Sequence, residues 1–213
     1  MLQPDAEFPM AGHDIFLVFV EGRDGSRDEY AKWFATSHMS DMCQLPGVIS
    51  ANAFRLASLE GGSVPAQLCA IYETGDGTAI LDTIAAAKGT AALPISDIQG
   101  PMTWRVLEGV RAWQRPPVSA PGSELICMFG GPWDDLAEQR IWEWLCSIRT
   151  SFRAIRQTRL SPVQPSRGSE YSAVLFLSIN EHSDADHLAR AIADKRAAPF
   201  AQFLLATPWA GQP

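Results

Sequence analysis

The sequence predicts an α+β chain built from two tandem βαββαβ repeats, and three observations predict it. Over residues 14–110, short apolar runs rich in β-branched and aromatic residues alternate with stretches of helical period. A proline-rich stretch at 114–123 then interrupts the pattern, and after it the same order of elements resumes and runs to residue 206.

Residues 1–12 read as a loose arm. Residues 14–21, Asp-Ile-Phe-Leu-Val-Phe-Val-Glu, form a nearly unbroken apolar run of strand length. A loop from Gly22 to Gly25 leads into the longest helical stretch of this half, 28–48, with Ser26 and Asp28 as cap candidates. Asp28 and Glu29 place negative charge in its first turn, and Pro46-Gly47 stops it. At about 100° per residue, Tyr30, Trp33, Phe34, Ser37, Asp41 and Leu45 fall on one face, with His38 at its edge. Strands follow at 48–59 and 67–73, parted by the turn Glu60-Gly61-Gly62-Ser63. A short helix at 78–88 ends at Gly89, and a fourth strand spans 102–110 with Trp104 and Arg105. Strand, helix, strand, strand, helix, strand is the split βαβ, or ferredoxin-like, order.

The stretch 114–123 holds three prolines and little hydrophobicity, the composition of a linker. Beyond it come a strand at 124–129, a helix at 134–149 and a segment, Thr158-Arg159-Leu160, that echoes Phe54-Arg55-Leu56. The apolar stripe of that helix is Ile141, Trp144, Leu145 and Ile148. A strand at 172–178, a helix at 183–196 capped by Ser183, and a short strand at 203–206 complete the second set. The expected organisation is a first repeat at 1–113, a linker at 114–123 and a second, degenerate repeat at 124–213.

Composition narrows the class. In 213 residues, 46% are hydrophobic and 19% charged, which suits a globular chain with a real core. A net charge of -7 and an isoelectric point near 5.0 argue against nucleic acid or an anionic membrane as the main partner. No apolar run approaches the roughly 18 residues of a membrane span, and the first residues lack the pattern of a signal peptide. A cytoplasmic location is therefore expected. Cys43, Cys69, Cys127 and Cys146 are widely spaced in apolar segments and show no metal-ligand spacing. They read as reduced core thiols, and no metal site is expected.

The motif Tyr30-x-x-Trp33-Phe34-x-x-x-His38-x-x-Asp41, followed by Leu45-Pro46-Gly47-Val48 and Phe54-Arg55-Leu56, resembles the dimeric α/β-barrel superfamily, its EthD-like and polyketide-cyclase-like members above all. The resemblance is best over 14–110 and weaker over 124–206. It implies that the two ferredoxin-like repeats form an α/β barrel within one chain, with a small-molecule cavity between a sheet and its helices. Lyases, cyclases, monooxygenases and haem enzymes share that architecture, so fold alone does not choose a reaction. The second repeat departs from the motif: aligning Ile141, Trp144 and Leu145 on Tyr30, Trp33 and Phe34 puts Arg149 in the place of His38. The first repeat is thus the expected active half.

The candidate residues follow from chemistry. His38 titrates near neutrality and can move a proton at pH 7; its bland counterpart is a solvated histidine near a helix end. Asp41, three residues on, could orient the imidazole, or be an ordinary exposed acid. Tyr72 in the third strand could donate to an oxyanion, since a buried phenol needs a partner. Tyr30, Trp33, Phe34 and Trp104 could cradle an aromatic substrate, although the first three serve equally as a core stripe. Arg55 or Arg105 could hold a carboxylate, against the plainer reading of strand-end surface charges. His13 stands just before the first strand, near an expected cavity mouth, while His182 and His187 flank a surface helix. The residues point to a cofactor-independent lyase acting on an aromatic or polyketide-like small molecule, with His38 as general acid/base. A cofactor-free monooxygenase or polyketide cyclase of the same fold is the alternative. Haem binding through His38 or His187, and a non-catalytic ligand-binding barrel, complete the set. Whether two chains pair as a homodimer is left open.

Overall fold

A computed structural model of the chain describes residues 10–58, 66–114, 123–130, 134–151, 155–162, 171–179 and 200–208. The strands are β1 (Met10–Ala11), β2 (Asp14–Gly22), β3 (Val48–Ser58), β4 (Leu68–Thr74), β5 (Gln99–Leu107), β6 (Arg111–Gln114), β7 (Ser123–Gly130), β8 (Ile155–Pro162), β9 (Tyr171–Ile179) and β10 (Phe200–Pro208). The helices are α1 (Arg27–Trp33), α2 (Met39–Cys43), α3 (Ala79–Ala87) and α4 (Asp135–Ser151); a π-helical turn at Phe34–His38 joins α1 to α2. The chain falls into two compact units, one carrying β2 to β5 and the other β1, β6 to β9 and β10 as far as Leu205.

In the unit of β2 to β5, the strands lie in the order β3-β4-β2-β5, with every pair antiparallel. The helices follow β2 and β4, so residues 14–107 run strand, helix, strand, strand, helix, strand, as the sequence predicts. In the other unit the order is β1-β6-β8-β9-β7-β10. The pairs β1·β6, β6·β8, β8·β9 and β7·β9 are again antiparallel. The α+β class with antiparallel sheets is therefore observed. The expected helix at 183–196 lies outside the described residues, with His182 and His187.

Ile15 through Val20 are all buried, which explains why β2 reads as a continuous apolar run rather than an alternating one. Phe16, Val18 and Val20 belong to a core with Tyr30, Phe34, Met39 and Met42 from the helices and with Ala70 and Tyr72 from β4. Ile15, Leu17 and Phe19 occupy the opposite face of the sheet, together with Phe54, Cys69, Ile71 and Leu107. The central strands β2 and β4 thus have no polar face to offer.

Several expectations need correction. The fourth strand spans Gln99–Leu107 rather than 102–110, and the residues after it form β6, which pairs with β8 and β1. Four residues with an arginine and a glutamine carry too little apolar pattern to be read as a strand; the pairing partner decides. Met10 and Ala11 are held as a strand rather than a loose arm. Ser26 precedes α1 but makes no side-chain capping bond. Cys69 and Cys127 are buried thiols as expected, whereas Cys43 is exposed at the end of α2.

Gly22 fixes how α1 leaves β2. A Cβ there would stand 2.7 Å from the Tyr30 Cβ and 2.9 Å from the Arg27 Cα. Relief would require moving helix backbone, not a flexible side-chain tip. Gly22→Ala is therefore expected to destabilise the protein by about 1–3 kcal/mol. Gly75→Ala, with nothing within 4 Å of the added methyl, is expected to change little. Urea midpoints of the two variants check this, and equal midpoints would contradict it.

Candidate active site around His38

The site begins with an irregularity in a helix. The Thr36 hydroxyl donates to the Lys32 carbonyl at 2.7 Å, a back-bond that competes with the regular ladder. The next turns widen, and the Met39 amide bonds to the Phe34 carbonyl, five residues back. A π turn absorbs an extra residue and is often found at functional positions. Here it redirects the buried face. The stripe of Tyr30 and Phe34 continues in Met39 and Met42, not in Ser37 and Asp41 as the regular helical period predicts. Ser37 is exposed and Asp41 half-buried.

The imidazole of His38 lies against aromatic rings. It stacks on Phe34 with centroids 4.9 Å apart and an interplanar angle of 21°, and lies 5.3 Å from the Trp33 ring. Its Nδ1 is buried and has no hydrogen-bond partner among the described residues, so it donates no orienting hydrogen bond to the Asp41 carboxylate. Burial pushes the His38 pKa down to about 4, because the low-dielectric surroundings disfavour the imidazolium. At neutral pH the ring is therefore neutral and keeps a lone pair.

This shift has a consequence for stability. In the unfolded chain the ring titrates near 6.5, so between there and about 4 the unfolded state holds a proton that the folded state does not. Stability must then fall as pH drops through that window, on the order of 3 kcal/mol in all. His38→Phe removes the titrating group and is expected to flatten this part of the curve. Urea unfolding of both proteins between pH 7 and pH 4 checks the difference; parallel curves would show that the folded-state ring is not desolvated.

The other predicted residues divide by exposure. Tyr30, Phe34 and Tyr72 are 1%, 2% and 1% exposed and sit in the core, so they support the site from beneath. Tyr30 packs on both Trp33 and Phe34, at 5.6 and 5.8 Å. Tyr72 stacks on Phe16 at 5.6 Å. Its hydroxyl is held in the protonated form by burial first, then by the neighbouring Tyr30, Cys69 and Cys43. Trp104 is half-buried on the same sheet face, 5.8 Å from Phe16. Trp33 and His38 are half-buried as well, so these three are the aromatic rings of the set that reach the surface. Arg55 is exposed on β3, and His13 is exposed just before β2.

In the other unit, Ile141 and Trp144 of α4 are buried as expected of its stripe. Among the described residues no group of three or more His, Cys, Asp or Glu could hold a metal ion, and no helix is long and apolar enough to cross a membrane. The feature that sequence reasoning missed is the π turn; the back-bond of Thr36 does not announce it, since Thr83 makes the same kind of bond to Ala79 within the regular helix α3.

No family model and no curated protein matches the sequence. Solved structures do. A mutant chlorite dismutase from Candidatus Nitrospira defluvii in complex with cyanide superposes with a TM-score of 0.59 at 13% identity, covering 93% of this chain and 91% of that one. A candidate monooxygenase from Lactobacillus acidophilus gives 0.55 at 12% identity, over 92% and 93%. Another, from Fusobacterium nucleatum, gives 0.56 at 13% identity, over 93% of each chain. At these identities the likeness is one of fold, and it extends over nearly the whole chain.

Proposed function

We propose that this protein is a small-molecule enzyme in which His38 takes a proton from an acidic aromatic substrate. One observation carries the reading: a neutral imidazole, backed by Trp33 and Phe34, whose buried Nδ1 has no partner among the described residues. A low pKa makes His38 a poor base when nothing is bound. A phenolic or enolic substrate changes this, because the anion left behind lies beside the new imidazolium and offsets its desolvation. Asp41 contributes through its charge at longer range, not through a hydrogen bond. Trp33 and Trp104 supply accessible aromatic surface. Tyr72, kept protonated, is the donor to oxyanion charge once the overlying core opens to admit the substrate.

Two reactions can follow proton loss. Oxygenation at an activated CH2 converts it to a carbonyl while O2 supplies that oxygen and leaves its second atom in water. The fold neighbours among candidate monooxygenases favour this branch. The second branch is the cofactor-independent lyase expected from the sequence, in which the same anion expels carbon dioxide, water or an aldehyde. We further read residues 14–107 and 123–208 as tandem ferredoxin-like repeats, because β8-β9-β7-β10 repeats the order of β3-β4-β2-β5.

An oxygen electrode decides between the branches on a panel of anthrone-type and hydroxybenzoate-type compounds. Uptake of one O2 per product supports oxygenation, and product without uptake supports the lyase. Haem is tested apart from turnover: haemin added to the protein should give no Soret shift that His38→Ala abolishes. Such a shift would make His38 an axial ligand and end the proton-transfer reading.

A further inference from the structure

We infer that Arg105 is the anchor of a second, oxyanion-binding site on the sheet face opposite His38. The register settles the face. Arg105 of β5 pairs with Leu17 of β2, whereas Trp104, beside it, pairs with Val18 and meets Phe16 in the helix-side core. Leu17 and Leu107, the neighbours of Arg105 on its own face, are fully buried. The guanidinium is thus set into apolar surroundings. Its Nη1 donates to the Trp104 carbonyl at 2.7 Å, which fixes the fork against its own strand. Its Nε is buried and has no hydrogen-bond partner, and among the described residues Arg105 makes no ion pair.

A guanidinium cannot relieve this by losing its proton. A buried donor left unmade is costly, and a charge in such surroundings calls for a counter-charge. With Nη1 engaged, the edge that remains is Nε with Nη2, two parallel donors of the spacing that a carboxylate or phosphate accepts. Thr103, two residues along the same strand and face, is exposed, so the face runs from sealed at Leu107 to open at Thr103. An anion can approach from that end, with a small turn of the fork completing the second hydrogen bond. The half-buried setting favours an organic carboxylate with an apolar body over a hydrated inorganic ion. This site does not depend on the role of His38.

The test titrates the full-length protein with benzoate, neutral benzamide and inorganic phosphate, following the Arg Nε–H resonances by NMR. Benzoate is expected to shift the Arg105 signal, and benzamide to leave it in place. Arg105→Gln should weaken benzoate binding, followed by thermal shift, roughly 10- to 100-fold, the loss of a charge-assisted hydrogen bond. Arg105→Lys, which keeps the charge but loses the fork, should be intermediate and guards against misfolding of the glutamine variant. Arg27→Gln, at an exposed arginine of α1 that pairs with Glu21 and Asp24, should bind benzoate as wild type does. A response to phosphate alone would replace the carboxylate by a phosphate ligand and overturn the class assigned. Equal responses to benzoate and benzamide, no response to either anion, or unchanged benzoate binding in a folded Arg105→Gln protein would remove the site.

Discussion

Replacing His38 by alanine is expected to lower kcat/KM by roughly 10² to 10⁴, the range for losing one proton-transfer group. The fold should survive, because the ring is half-buried at the rim of the core and not within it. Asp41→Asn should cost less, since no hydrogen bond to Nδ1 is there to lose. Tyr72→Phe keeps the ring that stacks on Phe16 and removes only the hydroxyl, so it isolates the oxyanion role. The pH profile gives a sharper signature than the rate alone. A base works only when unprotonated, so kcat/KM should rise through the pKa of the free enzyme, about 4, and be flat across 6.5. Thermal melts must show that each variant is folded. A folded His38→Ala enzyme within threefold of wild type would take His38 out of the mechanism. An acid limb near 6.5 would mean that the ring works in a hydrated state.

The parts of the fold that could be read from the sequence are those where one pattern governs. The apolar run at 15–20 could only be a strand buried on both faces, and Pro46-Gly47, with Gly47 at a φ of 88°, could only end the helix before it. The order of strands in β3-β4-β2-β5 followed from the element order. What escaped reading was decided by neighbours or by a single competing bond. β6 is a strand because β8 and β1 pair with it, and nothing in Arg-Ala-Trp-Gln demands that. The face of the first long helix was legible to Phe34 and misread beyond it, since the regular period cannot anticipate the π turn at Phe34–His38. His38 stands one turn beyond Phe34 and stacks on it, so the residue and that neighbour were legible, whereas the burial of its Nδ1 was not.

Phe34→Ala is expected to act on stability and on His38 together. Phe34 is 2% exposed in the core of Tyr30, Met39 and Met42, and a phenylalanine truncated in such a place costs about 3–5 kcal/mol. Its ring also forms the stack at 4.9 Å that shields His38. Desolvation is the cause of the depressed pKa, so opening that side to water should let it climb from about 4 toward the ordinary 6.5. Phe34→Leu separates the two effects. It keeps most of the volume, so it should cost less stability, yet it removes the aromatic face. NMR titration of the His38 ring and urea unfolding measure both quantities on the same samples. If Phe34→Ala lowers stability by the expected amount while His38 still titrates near 4, the shielding comes from Trp33 and the helix backbone instead. The imidazole would then owe its neutrality to the π turn and not to the residue stacked on it.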